Sequence, residues 1–383
     1  MDLNNHDVNA IKEIAQVVSL DRGYPLVRRP DGSLIRTKHA TSLVKNANQR
    51  AVIGDWLDIS VPKGHEVAII NAIRPRTTSF LRRDPSERTI AQVLAANFNF
   101  VMIIQALDDI NYNRLERELV VAHETGAKVA LILTKADLVP NVLNEGDSED
   151  HSAVEGNNTK AQVFKTAEMS GLTDSKKSEN FEQEMLHITE LSQNKASAKA
   201  RALLGSNDYC FITSSSDESS FSPIYELVSK GKIAILVGKS GVGKSTLVNI
   251  LCKSNVQKTQ PVRKRDGKGR HTTVNREMIA LDNGGFIVDM PGIRGLGLWD
   301  SDEGFSTAFS DIETLSLKCK FRDCTHTREP DCAVVLATKS GALQQTRYDS
   351  YVRMKQESNK LKSDKKVQER VSSRRGHPRK RQF

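Results

Sequence analysis

Ile233-Ala234-Ile235-Leu236-Val237-Gly238-Lys239-Ser240-Gly241-Val242-Gly243-Lys244-Ser245-Thr246-Leu247-Val248-Asn249-Ile250-Leu251 is the stretch that decides the fold of this chain. Five consecutive apolar residues predict a buried strand, the glycines a tight loop, and the apolar spacing after Thr246 a helix. The spacing GxxxxGK[ST] inside a strand-loop-helix is that of a phosphate cradle. Glycines let backbone N–H groups curl round phosphate oxygens, Lys244 reaches the β- and γ-phosphates, and the Ser245 hydroxyl is placed to ligate Mg²⁺. The helix N-terminus adds partial positive charge.

Downstream, Gly285-Phe286-Ile287-Val288-Asp289-Met290-Pro291-Gly292 predicts a second strand ending in DxPG. Asp289 there can hold Mg²⁺ through water, and the Gly292 amide can meet a γ-phosphate. Between the two lies Gly267-Lys268-Gly269-Arg270-His271-Thr272-Thr273, a basic glycine-rich loop in which one threonine could ligate Mg²⁺ and sense the γ-phosphate, or which could be plain surface.

Upstream, Phe98 to Gln105 and Val129 to Leu133 read as buried strands around an amphipathic helix from Asn113 to Glu124. Strands alternating with helices predict a parallel, doubly wound sheet, whose ligand sites stand at the carboxyl ends of the strands. Thr134-Lys135-Ala136-Asp137 stands at such an end. A carboxylate there accepts from the N1–H and exocyclic amine of guanine, a donor pattern adenine lacks, and the stem of Lys135 can pack on the base. Tyr209-Cys210-Phe211-Ile212-Thr213-Ser214-Ser215 predicts a further strand. Ser214 could offer a backbone N–H to the guanine O6 or simply cap the strand.

The order of these motifs is unusual, because the guanine motif precedes the phosphate loop and the DxPG turn. Domain termini commonly lie close together, so a sheet of this kind can be reopened elsewhere without disturbing its site. The order predicts a circularly permuted GTPase domain.

The flanks have other characters. From about Ile14 to Ala72, short apolar stretches with turn signals predict a small β-barrel, either an OB-type nucleic-acid platform or a packing domain. Arg74 to Arg83 reads as a basic connector. Residues 141–200 form a polar, acidic insertion, with eleven acidic against four basic residues over 144–190 and a helix expected from about Asn180 to Leu204. Cys319-x4-Cys324-x-His326-x5-Cys332 supplies three thiolates and an imidazole, the donors of a closed, structural tetrahedral Zn²⁺ site. Cys210 and Cys252 are expected in the core. The last stretch, 353–383, carries twelve Lys/Arg against three Asp/Glu within a chain of net charge +9, a charge suited to a polyanion or to solvation. No apolar run approaches ~18 residues and the first residues lack a leader pattern, so a cytoplasmic protein without membrane contact is expected.

With the permuted order, GKSGVGKST, GRHTT, DMPGIRG and the Cys-Cys-His-Cys knuckle in place, the chain resembles the RsgA/YjeQ family of small-ribosomal-subunit biogenesis GTPases over nearly its whole length. The resemblance implies an N-terminal OB-fold over 1–90, a permuted P-loop GTPase domain over 91–298 and an α-rich zinc-binding domain with a basic tail over 299–383. It implies that Thr134, Lys135, Ala136 and Asp137 hold guanine, that Gly238 to Thr246 hold the phosphates, and that Thr273 joins Ser245 and Asp289 around Mg²⁺. Cys319, Cys324, His326 and Cys332 would hold one Zn²⁺. Implied partners are the 30S subunit, its 16S rRNA and GTP or GDP, with a monomeric chain that leaves after hydrolysis. The residue after Gly292 is Ile293 rather than a water-orienting glutamine. His271 is therefore the candidate to orient water, with a phosphate or rRNA contact as its other reading. The rival function is a nucleotide-gated RNA-binding switch in which hydrolysis is incidental; a P-loop kinase or ATPase is disfavoured by Asp137.

Overall fold

A computed structural model describes residues 11–21, 24–40, 50–83, 91–139, 195–254, 276–290, 298 and 302–375. The chain divides into two compact units, one of Met1–Ser79, Leu94–Tyr112 and Gly126–Ile293, the other of Phe80–Val93, Asn113–Thr125 and Arg294–Phe383.

The first unit begins with the strands β1 (Ile11–Asp21), β2 (Tyr24–Arg28), β3 (Leu34–His39), β4 (Trp56–Val61) and β5 (Val67–Ile73). Their order β1-β2-β3-β5-β4, with β4 pairing back onto β1, closes the expected barrel. Alternating residues such as Ala15, Val17, Val27, Leu57, Ile59, Ala68 and Ile70 fill it. All but the β3–β5 pair are antiparallel, and the OB-fold label fits.

The same unit holds β8 (Phe100–Ala106), β9 (Lys128–Thr134), β10 (Tyr209–Ile212), β11 (Ile233–Val237), β12 (Arg276–Ala280) and β13 (Phe286–Asp289). The order β10-β9-β8-β11-β13 is parallel throughout. Strands buried on both faces read as unbroken apolar runs, and β8 and β11 are buried along their whole length for that reason. Strand β12 is antiparallel to β13 and pairs on its other side with β1, at Ser19 with Glu277 and Leu20 with Arg276. One continuous hydrogen-bonded sheet thus runs from the α/β core into the barrel, a join that no motif in the sequence announced. The helices α2 (Lys195–Arg201), α3 (Ser222–Leu227) and α4 (Lys244–Leu251) complete this unit. Of the helix expected from Asn180 to Leu204, the described part begins at Lys195 and ends as α2 at Arg201, short of Leu204, because the chain turns there; residues 141–194 lie outside the described residues.

The second unit contains α1 (Tyr112–His123) over most of its length, then α5 (Asp302–Ala308), α6 (Ser310–Ser316), α7 (Ala333–Lys339) and the long α8 (Gln345–Arg375). The stretch read as a basic connector carries a strand, β6 (Ser79–Arg83), which pairs with β7 (Ala91–Ala96). On α8, Tyr351, Met354, Ser358 and Leu361 are buried at the three-four spacing of one helix face. Phe305, Phe309 and Tyr351 meet as an aromatic cluster, with Phe309 and Tyr351 edge to face at 5.3 Å. Arg347, 10% exposed, donates to Glu116 on α1 at 2.9 Å, to Asp311 on α6 at 2.8 Å and to the Ala308 carbonyl, and its guanidinium lies 4.4 Å over the Phe309 ring. Arg117 and Glu357 form a two-pronged pair between α1 and α8.

Candidate functional site

The phosphate loop leaves β11 at Gly238 and enters α4 at Lys244. Its glycines are required by position. A Cβ on Gly238 would stand 2.6 Å from the Ile104 carbonyl oxygen, and Gly243, at φ 99°, packs so that a Cβ would meet the Thr134 hydroxyl at 3.2 Å. Gly243 caps α4 without any side-chain hydrogen bond, which leaves the first amides of the helix to an anion. Lys239, Ser240 and Gly241 are exposed, Val242 is buried beneath them, and Ser245 and Thr246 are half-buried on the first turn. Lys244 folds back over the loop, its Nζ donating to the carbonyls of Gly238 at 2.7 Å and Lys239 at 2.8 Å.

Asp289 ends β13, directly across from Leu236 on β11, so its carboxylate stands beside the strand that feeds the phosphate loop. His271, Thr273 and Gly292 lie outside the described residues.

The guanine motif follows β9. Lys135 takes the left-handed conformation at φ 59° and caps a short 3₁₀ turn, Ala136–Leu138. The Ala136 amide donates to the Thr213 carbonyl and the Thr213 amide to the Leu133 carbonyl, which locks the ends of β9 and β10 together. Asp137 accepts from the Ser215 N–H and the Ser214 hydroxyl, each at 3.1 Å, and from the Ser215 hydroxyl at 3.3 Å. Desolvation pushes the Asp137 pKa up, but hydrogen bonds from its own amide, from Ser215 and from Ser214 outweigh it and hold the carboxyl below its ordinary value. Asp137 is thus an anion with a fixed direction. Ser215 was not singled out by the sequence, although it closes the run Thr213-Ser214-Ser215; which hydroxyl turns toward Asp137 is set by the turn, not by the run.

Thr134 joins the two motifs. It is 5% exposed, and its hydroxyl contacts the Val242 carbonyl in the phosphate loop at 2.5 Å and the Gln105 carbonyl at 3.3 Å. It acts on the loops rather than by facing open solvent. The two motifs, about a hundred residues apart in the chain, are thereby held together at the carboxyl ends of β9 and β11, two parallel strands with only β8 between them.

In the second unit, the ligand atoms of Cys319, Cys324, His326 and Cys332 all lie within 4.8 Å of one another. The sulfurs of Cys319 and Cys332 are 3.8 Å apart, and each is 3.5 Å from Nδ1 of His326. A tetrahedron with Zn–S bonds of about 2.3 Å and a Zn–N bond of about 2.0–2.1 Å has edges of about 3.8 Å and 3.5–3.6 Å. The donor set therefore fits a metal such as zinc, with Nδ1 as the imidazole donor. Burial raises the Cys319 thiol, but the amides of Ala333 and Val334 outweigh it and favour the thiolate, whereas burial and the neighbouring thiols push Cys324 up to about 12. Two residues missed by the spacing argument hold the knuckle. The Glu329 carboxylate accepts from the amides of Thr325, Thr327 and Arg328, and the Tyr348 hydroxyl donates to the His326 carbonyl at 2.7 Å. His326 itself sits at φ 60°, a conformation these contacts sustain.

Of the two remaining cysteines, Cys252 is buried as expected, while Cys210 is only partly covered. No helix among the described residues is long and apolar enough to cross a membrane.

The sequence profile of the RsgA GTPase family matches residues 73–187 and 185–299. The small ribosomal subunit biogenesis GTPase RsgA of Streptomyces avermitilis is 31% identical over 366 residues, 95% of this chain and 85% of that protein. Its namesake in Leptospira interrogans is 32% identical, over 81% of this chain and 73% of that protein. Among solved structures, YjeQ from Thermotoga maritima matches with a TM-score of 0.55 at 20% identity, covering 90% of this chain and 97% of that one. YloQ, described as a circularly permuted GTPase, matches with the same score and identity, covering 94% and 98%. These likenesses agree with the permuted order of the strands and with the barrel ahead of them.

Proposed function

The chain belongs to the RsgA GTPase family, and on that premise we propose that it hydrolyses GTP as an assembly factor in late maturation of the small ribosomal subunit, binding 16S rRNA in the 30S particle and leaving after hydrolysis. The observation that supports this reading is the Thr134–Val242 contact, which joins the Thr134–Asp137 turn to the 238–246 loop at the carboxyl end of one sheet.

Lys135 and Asp137 would hold the base, with Ala136 and Ser214 supplying backbone and orientation, and Gly238 to Thr246 would wrap the phosphates. Ser245, Thr273 and Asp289 would hold Mg²⁺, which when bound supplies charge neutralisation between the β- and γ-phosphates. Gly292 would meet the γ-phosphate through its amide, and His271 would position the attacking water. Cys319, Cys324, His326 and Cys332 would hold a single structural Zn²⁺, which fixes the knuckle and leaves no open coordination position. The proposed functional division is barrel 1–90, GTPase domain 91–298 with its acidic insertion, and metal-binding domain 299–383, in a monomeric, cytoplasmic protein.

The test is GTP turnover with and without purified 30S subunits. A turnover that rises on the subunit, is abolished by Lys244→Ala and loses its stimulation in His271→Ala supports the assignment. Turnover indifferent to the subunit, or full cycles of binding and release on a non-hydrolysable analogue, would oppose it.

A further inference from the structure

A cleft of about 670 Å³ opens in the first unit, at the end of the sheet opposite the phosphate loop. Ile233 and Phe286, the first residues of β11 and β13, line it, whereas the phosphate loop follows the last residue of β11. Its barrel side is built by register. Gln16 on β1 pairs directly with Arg28 on β2 and with Trp56 on β4. Residues paired across antiparallel strands point to the same face. Arg28, Gln16 and Trp56 therefore form one row across the outside of the barrel, and all three line the cleft.

Each member of the row has a distinct condition. Gln16, 3% exposed, accepts from Arg28 at 3.2 Å and donates to the Gly54 carbonyl. Arg28 lies 4.1 Å over the Phe286 ring, which fixes the back wall as a flat cationic surface. Trp56 is 42% exposed and makes no side-chain hydrogen bond among the described residues. Arg74 is tied to it, donating its amide to the Trp56 carbonyl at 2.9 Å, while its Nε donates to Asp58. Its terminal nitrogens make no hydrogen bond among the described residues. Among the described residues, both charged residues lining the cleft are arginines and no carboxylate lines it.

An exposed indole beside a guanidinium held by Asp58, in a volume of ligand size with no carboxylate among its described lining residues, suits a planar base carrying a phosphate. We propose that this cleft takes one unpaired nucleotide of RNA, its base stacked on Trp56 and its phosphate against Arg74. The surface differs from the strand 2–3 face through which OB-folds commonly bind. The inference rests on the rRNA-binding reading above, in that the strand supplying the nucleotide is ribosomal.

The experiment uses the full chain with Trp299→Phe, which leaves Trp56 as the only tryptophan, and saturating GDP to occupy the phosphate loop. Trp56 fluorescence is followed while octa-adenylate, an RNA duplex or AMP is added. Quenching by the single strand but not the duplex is expected, with the affinity lowered about tenfold or more in Arg74→Gln and Arg28→Gln and weakened by salt. Quenching by AMP as tightly as by octa-adenylate would overturn the RNA assignment in favour of a free nucleotide. Absence of quenching, or affinity unchanged in both arginine variants, would overturn the site. Co-sedimentation with 30S subunits separates the two readings. If the parent chain sediments and Trp56→Leu sediments equally, the cleft is not the contact although the subunit reading stands. If octa-adenylate quenches Trp56 but the parent chain does not sediment, the cleft stands and the subunit reading falls. Trp56 lies on the barrel's outer face, so its replacement opens no cavity in the core; a folding check by circular dichroism accompanies each variant.

Discussion

The hydroxyl of Thr134 lies 2.5 Å from the carbonyl oxygen of Val242. The first residue of the Thr134–Asp137 turn thus satisfies a buried acceptor of the 238–246 loop, and the two halves of the proposed nucleotide site share a hydrogen bond. An asparagine could make the same contact and still offer its other amide atom to a base; a threonine spends its single O–H on the loop.

Thr134→Val keeps the shape and removes the donor, leaving the Val242 carbonyl without it. Loss of such a bond costs about 1–2 kcal/mol, so affinity for a fluorescent GDP analogue should fall about five- to thirtyfold. Thr134→Ser should recover most of it. Equal affinity in all three proteins, measured by fluorescence titration, would show that the contact does not position the site.

Asp137→Asn removes the acceptor for two guanine donors and should lower GDP affinity by about 10²-fold, with xanthosine diphosphate bound in its place. The serine contacts also set a pH dependence. Because the folded pKa is depressed, the stabilisation they give is complete above the ordinary carboxylate range and is lost only as pH falls through the lowered value. The ratio of GDP to IDP affinity, in which the titration of the terminal phosphate cancels, should therefore stay flat from pH 7 to 5, as judged by calorimetry at each pH. A midpoint inside that window would contradict the direction of the shift.

At the metal knuckle, Glu329→Ala deletes the acceptor of three loop amides while leaving all four donors in place. Outer contacts of this kind are worth about 10- to 100-fold in metal affinity. Zinc transfer from the purified protein to a chromogenic chelator should be faster by that order, and Tyr348→Phe should have a smaller effect in the same direction. The parent chain should carry one equivalent of zinc by elemental analysis, and Cys319→Ser much less.

Arg347→Met strands Glu116, whose side chain is 5% exposed. Breaking a buried pair by removing one partner costs about 3–5 kcal/mol, so denaturant unfolding should shift by that amount. Replacing Glu116 by Gln in the same protein should return a large part of the loss. If the double variant is as unstable as the sum of the singles, the pair is not what Arg347 contributes.

Local spacing carried much of this protein in its sequence. Gly238 to Thr246 specify a loop because glycines alone reach its backbone angles, and three cysteines and a histidine within one short segment specify a metal set because donors so close can surround one ion. The motif order announced the permutation for the same reason, since each motif is contained in a few consecutive residues. Tertiary structure alone decided how separate segments meet. The Thr134 hydroxyl finds Val242 only because β9, β8 and β11 follow one another in the finished sheet, and the row Arg28-Gln16-Trp56 exists only in the register of three strands. The union of β12 with β1 and the placing of α1 with the C-terminal helices through Arg347 and Glu116 were equally hidden. Such contacts depend on which distant surfaces are buried together, and composition or periodicity within a segment carries no record of its partner.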